Sequence, residues 1–269
     1  MPAVYAEPMK TPLKLFCSFA LIVWMSLSTF ASGSLGTFIP GEVSEYKVTW
    51  MRIPLAWSRS VTDTIVENGR ELIRLRMISK TYAPYTHIYK VDDVVEIIID
   101  PETGLPLRQD VEIREGNRHK SQLTVFDHEN LTAVYQDRIT GTSTHVAINH
   151  DTLEIYSYIY SLRNRNIAEL AANGHKLFVD GEVHDFGIRI GKDDKIKLPS
   201  YGKVESTAIE PVAAFNGLFL REGKITFWIS KQNRRMITCI KAKVPFGKIT
   251  VKLQSVAGPG VDFWVNTEE

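Results

Sequence analysis

The chain has 269 residues, of which 44% are hydrophobic and 23% charged, which is ordinary for a globular protein and argues against disorder. Its 32 basic and 31 acidic residues nearly cancel. Nucleic-acid binding is disfavoured, because it requires a basic excess that neutralises phosphates.

The first predicted element is a secretory signal peptide over residues 1–31. Lys10 and Lys14 form its basic region, residues 15–31 its apolar segment, and small residues precede the expected cleavage site. The alternative is an uncleaved membrane anchor, but serines interrupt the apolar run and it falls short of the roughly 20 residues of a span. Translation from Met9 instead of Met1 gives a more usual leader. We therefore expect a periplasmic protein with no stable membrane span after cleavage.

The mature chain, residues 32–269, is predicted to be a single β-rich domain. Loss of Lys10, Lys14 and Glu7 leaves 30 basic and 30 acidic residues, so it is formally neutral. Cys239 is then the one remaining cysteine, which excludes an internal disulfide and predicts a small buried side chain.

Short runs of β-branched and aromatic residues alternate with turn signals along this domain. The pattern predicts an all-β, mainly antiparallel fold: a single curved sheet or an open barrel or sandwich. The turn signals include Asn68-Gly69, residues 100–104, Asp180-Gly181, Gly191-Lys192-Asp193 and Glu222-Gly223.

Residues 91–116, "VDDVVEIIIDPETGLPLRQDVEIREG", predict two strands joined by a Pro/Gly turn. In the second strand apolar residues alternate with charges of both signs, which are typical of cross-strand partners in water. The first strand is apolar on both faces, so we expect it to be covered on both sides.

A helical insertion is predicted around residues 151–173. Asp151 is expected to cap a first helix, with Glu154 three residues on completing a capping box. That helix is apolar nearly all round and must be covered. A second piece, "IAELAA", begins after Asn166 and stops at Asn173-Gly174.

Motifs for catalysis and metal binding are missing from the sequence. "GIRIGKDD", residues 187–194, resembles a phosphate-binding loop only loosely and is interpreted as a hairpin. There is no Gly-x-Ser-x-Gly or His-Glu-x-x-His, and Asp127-His128 is interpreted as a surface turn. We predict no catalytic residue, no metal site and no cofactor, and therefore no enzyme.

Tyrosines give the best candidate binding site. Tyr156 and Tyr160 lie on the first predicted helix just before Arg163, and Tyr89 precedes the stretch 91–116. Such rings suit a cavity for an amphiphile, with Arg163 receiving an anionic head group. The alternative is that the rings fill the core and Arg163 pairs with a carboxylate or a helix-end carbonyl.

Five stretches, in order, resemble the bacterial domain of unknown function 3108, over about residues 41–256. They are "GEVSEYKVTWMRIPLAWS", "YKVDDVVEIIIDPETGLPLR", "IREGNRHKSQLTVFDHEN", "DTLEIYSYIYSLRN" and "GKITFWISKQNRRMITCIKAKVPFGKITVKL". The resemblance implies an exported, β-rich envelope protein of Gram-negative-type bacteria without an established activity. Gln232 and Asn233 stand where the family often has aspartate, so a calcium or catalytic role there does not transfer.

Three functions follow as hypotheses. The first is a periplasmic protein that binds a lipid or other hydrophobic ligand between sheet and helix. The second is an envelope assembly or interaction factor with a solid core, acting on a protein partner. The third, an enzyme acting on cell wall or polysaccharide, requires two carboxylates facing one cleft.

Overall fold

Strands dominate the computed structural model, which describes residues 37–213, 225–231, 234–244 and 247–260. The predicted signal peptide and the pair Gln232 and Asn233 lie outside these ranges. The strands are β1 (Val43–Trp50), β2 (Ile53–Glu67), β3 (Arg70–Thr81), β4 (Asp92–Ile99), β5 (Pro106–Glu115), β6 (Arg118–Asp127), β7 (Thr132–Asp137), β8 (Thr142–Ala147), β9 (Leu153–Glu154), β10 (His175–Val179), β11 (Glu182–Leu198), β12 (Gly202–Ala213), β13 (Ile225–Ser230), β14 (Ile237–Val244) and β15 (Gly247–Ala257). The helices are α1 (Ile155–Ser161) and α2 (Ile167–Asn173), and Ala83–Tyr85 form a 3-10 turn.

All these strands belong to one sheet, ordered β8-β7-β6-β5-β4-β3-β2-β1-β15-β14-β13-β12-β11-β10-β9. Neighbours are antiparallel except β9 and β10, which run parallel. Strands β1 and β15 lie side by side in its middle, and β8 and β9 form its edges. The predicted fold class is confirmed: a mainly antiparallel open sheet with a short helical insertion.

The sheet bends around α1, and its two halves pack on different faces of that helix. Leu75 and Ile97, from β3 and β4, belong to a buried cluster that includes Tyr160. Leu177 and Phe186, from β10 and β11, belong to a second cluster that includes Tyr158. The predicted covering of the apolar helix is therefore confirmed.

The stretch 91–116 folds as β4, a turn and β5. Ile97 and Ile98, adjacent in β4 and so on opposite faces, are both buried, which confirms that this strand is covered on both sides. The charges of β5 pair across strands as expected: Arg108 with Glu67 on β2 at 2.7 Å, and Asp110 with Arg138 at 2.7 Å.

The predicted turns that fall within the described ranges are present, with one exception, whereas Glu222-Gly223 lies outside those ranges. Asn68 and Gly69 join β2 to β3, and Asp180 and Gly181 join β10 to β11. All four residues have positive φ, as tight hairpin turns require. The predicted hairpin at residues 187–194 is wrong, because β11 continues through it. An irregular register between Ile190 and Asp193 absorbs the extra residue as a bulge, which the local glycine permits.

The remaining predictions concern Cys239, membrane-spanning helices and the number of domains. Cys239 is fully buried, as expected. Within the described ranges, no helix is long and apolar enough to cross a membrane. The described part of the chain belongs to one compact unit, Ala31–Glu269.

Candidate functional site

Helix α1 begins later than the sequence suggests, because Glu154 rather than Asp151 caps it. The Glu154 carboxylate accepts hydrogen bonds from the backbone N–H groups of Tyr156, at 2.7 Å, and Ser157. Residues Leu153–Glu154 are taken up by β9. Burial raises the pKa of Glu154, while these bonds oppose the rise. By contrast, Asn166 caps α2 and Gly174 ends it, as predicted.

The first face of α1 is apolar and closely packed. The Tyr158 ring meets Phe186 edge-on with centroids 5.0 Å apart. A cavity of about 20 Å³ remains here, lined only by apolar side chains and rings including Ile159, Phe227 and Ile237. That volume is about what one or two water molecules need, so this face is nearly filled.

The second face carries Tyr160 and Arg163, which the structure brings together. The guanidinium of Arg163 lies 4.3 Å from the Tyr160 ring centroid, and the Tyr160 hydroxyl donates to Ser60 Oγ at 2.9 Å. Phe38 stacks on the same ring with centroids 5.4 Å apart. Tyr160 is therefore held at both its ring and its hydroxyl, and it is buried.

Arg163 is held by Glu42, so the pairing with a carboxylate, the alternative considered for this arginine, is what the structure contains. Its Nη2 donates to Glu42 Oε1 at 2.8 Å, and Arg234 Nη1 donates to the other oxygen at 3.2 Å. Both ends of the Arg163–Glu42 pair are almost fully buried. Burial alone would lower the pKa of Arg163, but Tyr160 and Glu42 outweigh it and raise that pKa.

Tyr156 lies apart from this pair, on a third and more polar face. It lines a cavity of about 50 Å³ together with Gln109, Gln122 and Thr124. Gln109 donates to Glu154 at 3.2 Å, and Gln122 donates to the Tyr135 hydroxyl at 2.6 Å. The volume matches a few ordered water molecules.

Tyr89 is the most exposed of the predicted site residues. Its side chain lies in the loop before β4, against Gly116, and is 45% exposed. The charges of Glu115 and Asp93 reach both Tyr89 and Tyr156 and act to raise the pKa of each phenol, after the larger effect of burial. A ligand-binding role for Tyr89, Tyr156, Tyr160 and Arg163 remains a prediction.

An open cleft of about 700 Å³ is lined by the end of α2, the start of β10, part of β11 and the segment just before β9. Asp151, Asp185, His150 and His175 are among its lining residues. Asp185 pairs with Lys176 at 2.5 Å and its side chain is 84% exposed. Among the described residues, no three His, Cys, Asp or Glu side chains could jointly hold a metal ion.

Sequence reasoning missed Glu42, which pairs with Arg163, and Arg234, which donates to the other carboxylate oxygen of Glu42. Glu42 lies more than a hundred residues from Arg163, and no local pattern marks it as buried. It also missed Asp93, an inward-facing carboxyl whose pKa burial raises to about 6. The one available signal was that Asp93 shares the period-two face of Val95 and Ile97.

An open antiparallel sheet bent around a short helix defines a β-barrel-like protein. The profile described as "Protein of unknown function (DUF3108)" matches residues 45–254. This chain therefore belongs to the DUF3108 family, as the sequence resemblance indicated.

One solved structure extends the comparison. It is the β-barrel-like protein of domain of unknown function DUF1849 from Brucella abortus, with a TM-score of 0.51 and 10% sequence identity. The match covers 83% of this chain and 99% of that chain. At this identity the likeness concerns the fold alone. No curated protein matches the sequence.

Proposed function

We propose that this protein is an exported, non-enzymatic component of the bacterial cell envelope that acts through its outer surface on a partner. Export rests on the predicted signal peptide. The observation that carries the surface role is the filled space between α1 and the sheet.

The interior volumes favour this proposal over a lipid carrier. Sites for small molecules usually measure roughly 300–1,000 Å³. Among the described residues, two cavities that border α1 measure about 20 and 50 Å³. Arg163, the residue expected to receive a head group, is already neutralised by Glu42.

The open cleft gives the enzyme hypothesis less support. Two carboxylates, Asp151 and Asp185, do line it. However, a general acid needs a desolvated carboxyl, whereas Asp185 is an exposed partner of Lys176.

Native mass spectrometry of the protein released from the periplasm by osmotic shock tests the proposal. We expect the mass of the mature chain alone and no uptake of a fluorescent fatty acid. Stoichiometric bound lipid would overturn the surface role and restore the carrier hypothesis.

A matched pair of variants sharpens that measurement. Leu162→Ala enlarges the space beside the apolar cavity, whereas Leu131→Ala changes an exposed side chain. A filled interior predicts that neither variant changes lipid content, although Leu162→Ala lowers stability by about 2–5 kcal/mol. A carrier predicts altered lipid content for Leu162→Ala alone.

A further inference from the structure

The turn between β1 and β2 has an unfavourable backbone for its residues. Trp50 pairs with Ile53, which leaves Met51 and Arg52 as a two-residue loop. Their φ angles are +50° and +83°. Such turns favour Asn-Gly, because a larger side chain in the left-handed region costs roughly 1–2 kcal/mol per residue. Strain of this kind persists where it serves a function.

The same turn exposes apolar side chains. Met51 is 58% exposed and Ile53 38% exposed. The Met51 side chain passes over Gly247 at the start of β15, where an added Cβ would lie 2.4 Å from the Met51 sulfur. Because Gly247 has no side chain, the Met51 side chain in the β1–β2 turn can lie over the start of β15.

The neighbouring strands are basic. Residues 225–260 contain seven Lys and Arg and no Asp or Glu. Lys243 on β14 stands directly opposite Lys248 on β15, and Lys47 on β1 stands opposite Lys252 on β15. Like charges directly opposite each other destabilise a sheet. No described carboxylate forms an ion pair with any of these four lysines.

The lysines are also close to one another. Burial raises the pKa of the Cys239 thiol, and the charges of Lys241, Lys252 and Lys248 all act on it in the opposite direction. The register places Lys243, Lys248 and Lys252 on one face of the sheet, and Lys47 opposite Lys252 on the same face, because paired residues and residues two or four apart in a strand point the same way. This face carries an excess of positive charge that an anionic surface would complement.

We propose that this end of the sheet, the tip Met51–Ile53 with Lys47, Lys243, Lys248 and Lys252, docks on an anionic lipid surface. Met51 and Ile53 enter the interface between head groups and acyl chains, and the lysines meet lipid phosphates. The exposed apolar side chains of Met51 and Ile53 favour a lipid surface over a partner that offers only negative charge. The inference rests on the proposed surface role and names its partner.

Vesicle co-sedimentation of the mature protein tests the proposal. Phosphatidylcholine vesicles with about 30% phosphatidylglycerol are compared with pure phosphatidylcholine, at about 50 and 300 mM salt. We expect binding to the anionic vesicles alone, and weaker binding at the higher salt.

The first variant pair isolates charge. Lys243→Gln with Lys248→Gln should weaken binding roughly 30-fold, at about fivefold per lysine. The control, Lys195→Gln with Lys197→Gln, removes the same charge from exposed positions of β11 and should leave binding within twofold.

The second variant separates docking from folding. Met51→Asn with Arg52→Gly supplies the residues that the turn geometry prefers, so the midpoint of urea unfolding should rise. Vesicle binding should nevertheless fall at least fivefold. A tip that serves only the fold predicts unchanged binding.

The proposal is overturned if wild-type protein ignores anionic vesicles, binds neutral ones equally, or binds as tightly after the lysine substitutions. A result of that kind, obtained while native mass spectrometry still finds an empty chain, leaves the surface role standing and removes only this docking surface. Bound lipid in the native mass removes the surface role itself.

Discussion

Charges are arranged in opposite ways on the two sides of β1. On β2 to β7, arginines meet acids across the strands, as in Arg74 with Asp63 at 2.6 Å and Arg138 with Asp110 at 2.7 Å. On β14, β15 and β1, lysine stands opposite lysine. Both charge patterns occur on antiparallel strand pairs, so the pairing of the strands does not determine which charges face each other. Complementary pairs stabilise the sheet internally, whereas the repelling lysine pairs would be neutralised by the anionic surface that we propose.

The largest expected effect comes from removing Glu42, the buried acid that pairs with both Arg163 and Arg234. Glu42→Gln removes the counter-charge of the buried Arg163, and we expect a loss of about 3–5 kcal/mol in the free energy of unfolding. Urea denaturation measures it. The control is Glu45→Gln, whose partner Arg59 lies 3.9 Å away at the exposed surface. That variant should change stability by less than about 1 kcal/mol, and equal losses would contradict the buried role.

Asp93 is a buried acid on the paired side, and its described contacts include no ion pair. Its carboxylate accepts one bond, from the Arg114 N–H at 2.9 Å, and burial raises its pKa to about 6. The unfolded value is about 3.9, so the folded state holds the proton more tightly. The stabilisation is complete below about pH 4 and is lost as pH rises through 6.

Asp93→Asn mimics the protonated form and should remove this dependence. We expect a gain of about 1–2 kcal/mol at pH 7.5 and little change near pH 4. Unfolding curves across that range give the result. A uniform loss at every pH would show that the amide does not fit the site.

Removing an exposed arginine from the paired side should have a smaller effect. Arg138→Gln breaks two bonds to Asp110 and should lower stability by about 0.5–1 kcal/mol. The difference from wild type should shrink in high salt. A difference independent of salt would point to packing rather than charge.

The smallest expected effect has the opposite sign and comes from the basic side. Lys243→Glu replaces a repelling pair with an attracting one opposite Lys248, and stability should rise by about 0.5 kcal/mol. Thermal unfolding at low salt is the suitable measurement. A decrease would mean that the two ammonium groups do not face each other.

Local pattern was enough to predict the sheet, because strand alternation and turn residues are local properties. It identified β4 and β5, the Asn68-Gly69 turn and both ends of α2. It failed at Gly191, where a glycine and two polar residues suit a bulge as well as a turn. It also placed the cap of α1 at Asp151, because sequence alone does not reveal that Leu153–Glu154 pair with β10.

The candidate site depended on long-range contacts and was predicted less completely. The tyrosines on the helix and the need to cover them could be inferred from their spacing. The partner of Arg163 could not, since Glu42 precedes β1 and reaches the helix only through the curvature of the sheet. The strain at Met51 and Arg52 was equally hidden, because neither residue type marks a tight turn.

The pairing of β1 with β15 has a consequence for biogenesis. The middle of the ribbon joins the first and last strands of the polypeptide, for example Val43 with Ala257, so contact order at this seam is close to its maximum. Such a join cannot form until synthesis is nearly complete, and closing so long a loop is slow. The β1–β15 seam therefore closes only after β15 has been synthesised, and the proposed export would take place before it closes.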